Sequence, residues 1–249
     1  MRTALRWLAL VALAAVALQL FFVVRIALMA WVDPQSTTFQ RSEAWAQLTT
    51  QGGVRWRQRW VPYAQISDNL KRAIIASEDA DFVNHDGVDW DAIEKAWAKN
   101  AKAEEQAARR AQQLTPAQAA RAAARPPKIV GGSTITQQLA KNLLLSGERT
   151  LLRKGQEFVL TLLLELLLDK QRIFEIYLNN VEWGAGVFGA EAAAQHYYRK
   201  SAARLSAYEA ARLAVMLPRP KFFEKLPNSA YLAGRSGVIV GRMASAELP

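Results

Sequence analysis

The clearest pattern in the chain comes first. Between Trp7 and Val24 no residue is charged, and most are Leu, Ala or Val. A run of roughly 18–20 apolar residues matches the hydrocarbon core of a bilayer. Arg25 interrupts the run, and Ile26–Val32 is apolar again. An arginine near the end of a span can reach the headgroups while its stem stays in the apolar layer. Trp7 and Trp31 stand at the two ends, where interfacial aromatics belong, and Arg2 and Arg6 precede the run. By the positive-inside rule this puts the N-terminus in the cytoplasm. A cleaved signal peptide is the alternative, but its apolar region is shorter, ~7–15 residues, and ends at a small-residue cleavage site. The pattern therefore predicts a membrane anchor over residues 1–32, with residues 33–249 held at the membrane surface outside the cytoplasm.

Beyond the anchor the dominant period is helical. Ile66, Leu70, Ala73, Ile74 and Ser77 lie on one face, with Ser67 as N-cap. That helix delivers Glu78 at its C-terminal end, where the helix dipole raises a carboxyl pKa. His85-Asp86-Gly87 reads as a turn. A second helix starts near Asp89 or Asp91, and Asp91 with Glu94 has capping-box spacing. Thr134 and Gln137 repeat that spacing before a helical face of Ile135, Leu139, Asn142 and Leu143. Leu151–Asp169 reads as one long helix. Its apolar part, Phe158–Leu168, is too short to span a membrane and is interrupted by Glu165, so it is expected in the core. Further helices are expected at Ile173–Asn180, Gly189–Tyr198, from Ser206-x-x-Glu209 to Leu217, and around Ala233–Met243. Only Val54–Pro62 alternates like a strand or an extended linker, and Trp183–Gly189 reads as a glycine loop. The fold class is mainly α, with little or no sheet.

Residues 99–128 differ in kind. They are rich in Ala, Arg and Gln, carry few large apolar side chains and contain Thr115-Pro116. They read as a charged, solvated helix broken at Thr115-Pro116, an insertion with little core contact.

Composition adds the partner class. The chain has 249 residues, 51% of them hydrophobic, enough for one sizeable domain beside the anchor. Lys and Arg outnumber Asp and Glu by 32 to 22, which points to an anionic partner: nucleic acid, anionic lipid or a phosphorylated substrate. There is no cysteine, which excludes a disulfide framework and thiolate metal ligands.

Against this basic background, Ala76–Gly87 (ASEDADFVNHDG) sets Glu78, Asp79 and Asp81 within four positions, beside an aromatic and one of two histidines. Farther on, Gly132-Ser133-Thr134 opens a helix, an arrangement that offers unpaired amides to an anion and that a plain N-cap more commonly explains. It lacks the Lys-Ser/Thr spacing of a nucleotide P-loop. Arg153, Lys154 and Glu157 then share one helix face, a pattern that an ordinary surface ion pair also produces.

Taken together, three blocks resemble the peptidoglycan glycosyltransferases, the membrane-bound enzymes that polymerise lipid II. They are Glu78-Asp79-x-x-Phe82-x-x-His85-x-Gly87, then Gly132-Ser133-Thr134-x-x-Gln137-Gln138-x-x-Lys141-Asn142, then Arg153-Lys154-x-x-Glu157. Lys170–Asn179 and the glycine-rich segment through Gly189 agree, so the likeness covers about residues 63–220. Each block alone is modest and the combination is specific. The length of residues 99–128 is a departure, in a region where the family is mobile and faces the membrane.

The resemblance implies a lysozyme-like, mostly helical glycosyltransferase domain of the monofunctional type, with no room after the blocks for a transpeptidase. Glu78 is implied as the general base and Glu157 as the second essential acid. Asp79, Phe82, His85, Ser133, Thr134, Gln137, Gln138, Lys141, Arg153 and Lys154 are implied to hold the substrate or the residues around it. The implied substrates are lipid II and a growing glycan chain on undecaprenyl pyrophosphate. A magnesium or manganese ion is implied with the pyrophosphate; no organic cofactor and no His or Cys metal site is expected. The implied location is the cell inner membrane with the domain in the periplasm, and cell-wall synthesis or division proteins are the expected partners. Two rival readings remain at this stage. A lysozyme-like hydrolase or lytic transglycosylase would also use a lone Glu, but it has no pyrophosphate to bind with Lys141, Arg153 and Lys154. A non-enzymatic membrane-anchored scaffold would not need all three blocks. Nucleic acid is not an expected partner, since the predicted location and the lack of a binding motif argue against it.

Overall fold

A computed structural model describes residues 2–111, 115, 118, 131–145, 147 and 150–249. Helix α1 (Arg2–Leu28) is long and apolar enough to cross a membrane, and little of its apolar stretch is buried. Helix α2 (Thr38–Gln51) follows, then a two-residue strand β1 (Arg57–Gln58) and helix α3 (Asp68–Glu78). Helix α4 (Trp90–Ala111) precedes α5 (Ile135–Leu144), α6 (Leu151–Leu167) and α7 (Lys170–Asn180). A hairpin of β2 (Glu182–Gly184) and β3 (Val187–Phe188) leads to α8 (Ala190–Tyr198), α9 (Ala207–Met216), α10 (Pro220–Glu224) and α11 (Ala230–Met243).

Local chemistry sets the helix starts. Ser67, Thr134, Thr150, Asp169 and Ser206 each accept a backbone amide two or three residues on, at the N-termini of α3, α5, α6, α7 and α9. Such a cap contributes about 1 kcal/mol. The boxes at Thr134/Gln137 and Ser206/Glu209 are both formed. The expected box at Asp91 is not: the Ala92 amide donates to Asp89 Oδ1 at 2.7 Å, so Asp89 caps α4. Helix α2 was not expected at all, although Thr37 and Gln40 form a full capping box before it. Val54–Pro62, expected as a short strand or an extended linker, is a strand only at Arg57–Gln58, and the glycine loop folds into a hairpin. Together they form a small sheet in the order β1-β3-β2, with β1 parallel and β2 antiparallel to β3. The expected insertion begins as the C-terminal part of α4; apart from Thr115 and Gln118, its remaining residues, including the break at Pro116, lie outside the described residues.

Two helical groups share one core. Helix α3 packs with α9 and α11, while α5 packs against α2, α6 and α7. Between them Leu70, Ile74, Ile135, Leu139, Leu160, Phe174 and Trp183 are fully buried. Burying a Leu, Ile or Phe stabilises by roughly 1.5–3 kcal/mol each. This core fixes the C-terminal end of α3 beside the N-terminal end of α5, where the first two sequence blocks meet.

Candidate active site

The first block is a tight loop whose acids do different jobs. Asp79 caps the C-terminus of α3 and is buried. Its Oδ1 lies 2.9 Å from His85 Nε2, and its Oδ2 accepts the Ile135 amide at 2.9 Å. The anion at the start of α5 is thus the protein's own carboxylate. Thr134 Oγ1 takes the Gln137 amide as well, so this helix start is not the open anion site the sequence suggested. The Gly87 amide donates to His85 Nδ1 at 3.1 Å, which assigns the Nε2–H tautomer to the neutral ring. Burial disfavours charge on His85, but the hydrogen bond and charge of Asp79 outweigh it and raise the pKa above its ordinary value.

The loop is locked from three further directions. Thr134 Oγ1 donates to Gly87 O at 2.6 Å. Lys170 Nζ donates to His85 O, pairs with Glu165 Oε1 at 2.9 Å and sits 4.6 Å from the Phe82 ring centre. Glu165 also accepts from Thr136 Oγ1 at 2.6 Å. Phe82 is fully buried against Phe174 and His85. Asp79, Phe82, His85 and Thr134 were expected to hold the substrate or the residues around it; in the structure their contacts are with the loop itself. They are packed inside the loop and hold it in shape.

Glu78 is only half-buried. Its Oε2 accepts from Gln138 Nε2 at 3.1 Å, and its Oε1 from Ser77 Oγ at 3.4 Å. Tyr177 Oη donates to Gln138 Oε1 at 3.0 Å, which orients the amide with its nitrogen toward Glu78. The Glu78 pKa is raised, chiefly by burial and further by Asp79, while the Gln138 and Ser77 hydrogen bonds pull it down. Desolvation, rather than the helix dipole, is the main cause. A carboxyl shifted this way is suited to taking a proton near neutral pH.

Gln138 faces a cleft of about 480 Å³ lined by Ser133, Gln137, Gln138, Lys141, Thr150, Leu151, Arg153, Lys154 and Glu157. The second and third blocks therefore converge on one cleft. An adjoining cleft of about 460 Å³ shares Gln138, Lys141 and Arg153 and is bounded also by Phe39, Glu43, Asn142 and Glu182. Glu157 is buried; Arg153 Nη1 donates to its Oε2 at 2.9 Å and Lys154 Nζ to its Oε1. The carboxylate orients two cations from its own helix. Arg153 Nε is buried with no hydrogen-bond partner, an unspent donor on a residue that borders both clefts. Such a cradle of cations and amides suits an incoming phosphate oxygen. Among the described residues no three His, Asp or Glu side chains gather to hold a metal. Both Glu157 oxygens are already engaged, so the protein side chains do not fit a preformed metal cage.

Sequence reasoning missed Tyr177, Lys170, Glu165 and Glu182. Lys170 and Tyr177 lie within a stretch noted for its resemblance, without a role attached. A single acid in an apolar run, Glu165, was a signal in itself. Glu182 Oε1 is buried without a hydrogen bond, 3.4 Å from Lys221 Nζ. Burial pushes its pKa up to about 7 against the pull of Lys221.

A transglycosylase family model matches residues 45–114 and 111–244. A protein of Burkholderia thailandensis is 54% identical over 98% of this chain and 88% of its own length. One of Herminiimonas arsenicoxydans is 52% identical over 100% and 99%, and one of Paraburkholderia xenovorans 51% identical over 98% and 94%. All three are named biosynthetic peptidoglycan transglycosylase.

Proposed function

The chain belongs to the transglycosylase family and is a peptidoglycan glycosyltransferase of cell-wall synthesis; on that premise we propose how its own residues carry the reaction. The substrate class is the lipid-linked peptidoglycan precursor and the glycan chain grown from it. Glu78 takes the proton from the 4-hydroxyl of the acceptor sugar as that oxygen attacks the anomeric carbon of the donor. A β-1,4 bond forms, the anomeric configuration inverts, and undecaprenyl pyrophosphate leaves with the bonding electron pair. A positioned base contributes about 10²–10⁴ in rate.

The cleft cations stabilise the charge that builds on the leaving pyrophosphate. Lys141, Lys154 and Arg153 supply positive charge. Ser133 and Gln138 supply neutral donors. Glu157 holds Arg153 and Lys154 rather than acting on the sugar. A magnesium or manganese ion would arrive on the pyrophosphate oxygens, and no step above depends on it. The observation that carries this reading is Gln138: one side chain borders both clefts and also hydrogen-bonds Glu78. A lytic hydrolase would have no use for the cation cradle.

Helix α1 anchors the enzyme in the plane of its lipid-linked substrates. We place its N-terminus in the cytoplasm and the domain in the periplasm, at the inner membrane, on the charge pattern of Arg2 and Arg6.

The test is polymerisation of labelled lipid II by the detergent-solubilised chain beside Glu78→Gln. Lysozyme-sensitive polymer from the wild type alone supports the assignment. Equal activity moves the base elsewhere. Cleavage of finished glycan without polymer replaces the reading with hydrolysis.

A further inference from the structure

Helix α1 carries one amide in the outer half of its apolar run, Gln19. It does not face lipid. Gln19 Nε2 donates to Gln156 Oε1 at 3.0 Å, and Gln156 Nε2 donates back to Gln19 Oε1 at 3.2 Å. Gln156 immediately precedes Glu157, the residue that orients Arg153 and Lys154. Phe22 and Ile26 of α1 are buried on the same side.

The two helices run side by side in the same direction. Arg172, in the first turn of α7, donates through Nε to Met29 O at 2.7 Å and through Nη2 to Asp33 Oδ1 at 2.7 Å. From Gln19 to Met29 is about 15 Å of chain rise, and from Gln156 to Leu167 about 16 Å. So α6 follows the outer half of α1, with its N-terminal turns on the membrane side. Its outward stripe fits that placement: Leu151 and Leu152 are 93% and 87% exposed, and Phe158, Val159, Leu162 and Leu166 continue the same face. The stripe adjoins a helix apolar enough to span a bilayer, so its occupant is the acyl chains of the outer leaflet.

We propose that α1 is a positioning element of the active site as well as a tether: the reciprocal Gln19–Gln156 pair holds α6 in the outer leaflet at the rotation that points Arg153 and Glu157 into the cleft. In hydrocarbon neither amide has water as an alternative partner, which makes the paired register the favoured one. The inference rests on the transferase reading above, because it concerns where that reaction's cation cradle is held.

The experiment exchanges Trp7–Val24 for an all-leucine span of equal length in the full chain, with and without glutamine restored at position 19. The proteins are reconstituted in vesicles of phosphatidylethanolamine and phosphatidylglycerol and polymerise lipid II. The leucine span should lower kcat roughly three- to tenfold with KM little changed, and Gln19 alone should restore it. Adding Gln156→Leu to the leucine span should cost nothing more. A leucine span that polymerises at the wild-type rate overturns the inference. Since the chain has no cysteine, Leu152→Cys carries a single nitroxide in the otherwise unaltered protein. Its relaxation should respond to oxygen and not to a water-soluble nickel chelate; the reverse also overturns the inference. If the wild type itself makes no polymer, the functional reading fails, and the nitroxide depth still reports on the helix pairing.

Discussion

The Gln138 side-chain nitrogen lies 3.1 Å from Glu78 Oε2, so the residue bordering both clefts also holds the proposed base. The amide can do this only in one of its two orientations. Tyr177 selects that orientation by donating to the amide oxygen. Burial keeps the Tyr177 hydroxyl protonated, its pKa well above the ordinary value, so the donor persists across the working pH range.

Tyr177→Phe removes the selector without changing the packing volume. We expect kcat to fall about tenfold, the worth of one such hydrogen bond. The Gln138 bond favours the ionised form of Glu78. Loosening it should therefore move the acidic limb of the kcat profile to higher pH. A rate and limb identical to wild type would detach Tyr177 from the base.

Glu78 also affects stability. Its folded pKa is raised above 4.5 by burial, so the folded state binds a proton that the unfolded chain has released. Stability is lost as pH rises from the unfolded value through the folded one. Glu78→Gln should thus melt above the wild type at pH 8, and the gap should close toward pH 4. Thermal melts at both pH values decide it.

Asp79→Ala leaves the Ile135 amide and His85 without their carboxylate. A cost of about 3 kcal/mol is expected in denaturant titrations. The histidine part of that pair depends on pH with the opposite origin. The folded pKa of His85 is raised, so its contribution is complete below the unfolded value of 6.5 and fades as pH rises through the folded value. The excess stability of wild type over His85→Gln should follow that course.

Gly87 sits at φ +83°, and a Cβ there would lie 2.7 Å from Thr161 Cγ2 and 2.9 Å from Glu165 Cγ. Gly87→Ala is strained by both backbone and contact, and should cost about 2 kcal/mol or more. Since Gly87 O anchors Thr134 and Gly87 N anchors His85, polymerisation should fall with it. A fully active, equally stable alanine variant would contradict this account of the loop.

Glu182 provides a titration close to neutrality. With its pKa at about 7, the wild type should lose more stability than Glu182→Gln between roughly pH 4.5 and 7. Parallel melting profiles for the two proteins would place the proton elsewhere.

How much of this was legible depends on the reach of each interaction. The apolar span, the caps at Ser67, Thr134 and Ser206, and the order of the three blocks could be read directly. A cap or a helical stripe is completed within one or two turns, so residue spacing alone encodes it. Helix α2 escaped because its apolar residues are too few to mark a face, though its capping box at Thr37 and Gln40 was present in the letters. The Asp91 box failed because a better acceptor, Asp89, stood two residues earlier.

The division within the first block was not legible. Glu78 and Asp79 are adjacent and chemically alike. Which one meets Gln138 and which one closes the start of α5 depends on the angle at which α3 meets α5. The same holds for Tyr177 behind Gln138, and for Gln19 against Gln156, 137 positions apart in the chain. The sequence by itself determined the residue types, their local turns and the apolar span, because those follow from contacts a few residues long. Only the tertiary structure decided which carboxylate meets Gln138, which cation is already paired and which amide is turned toward the base, because burial and hydrogen-bond direction exist only once distant helices have packed.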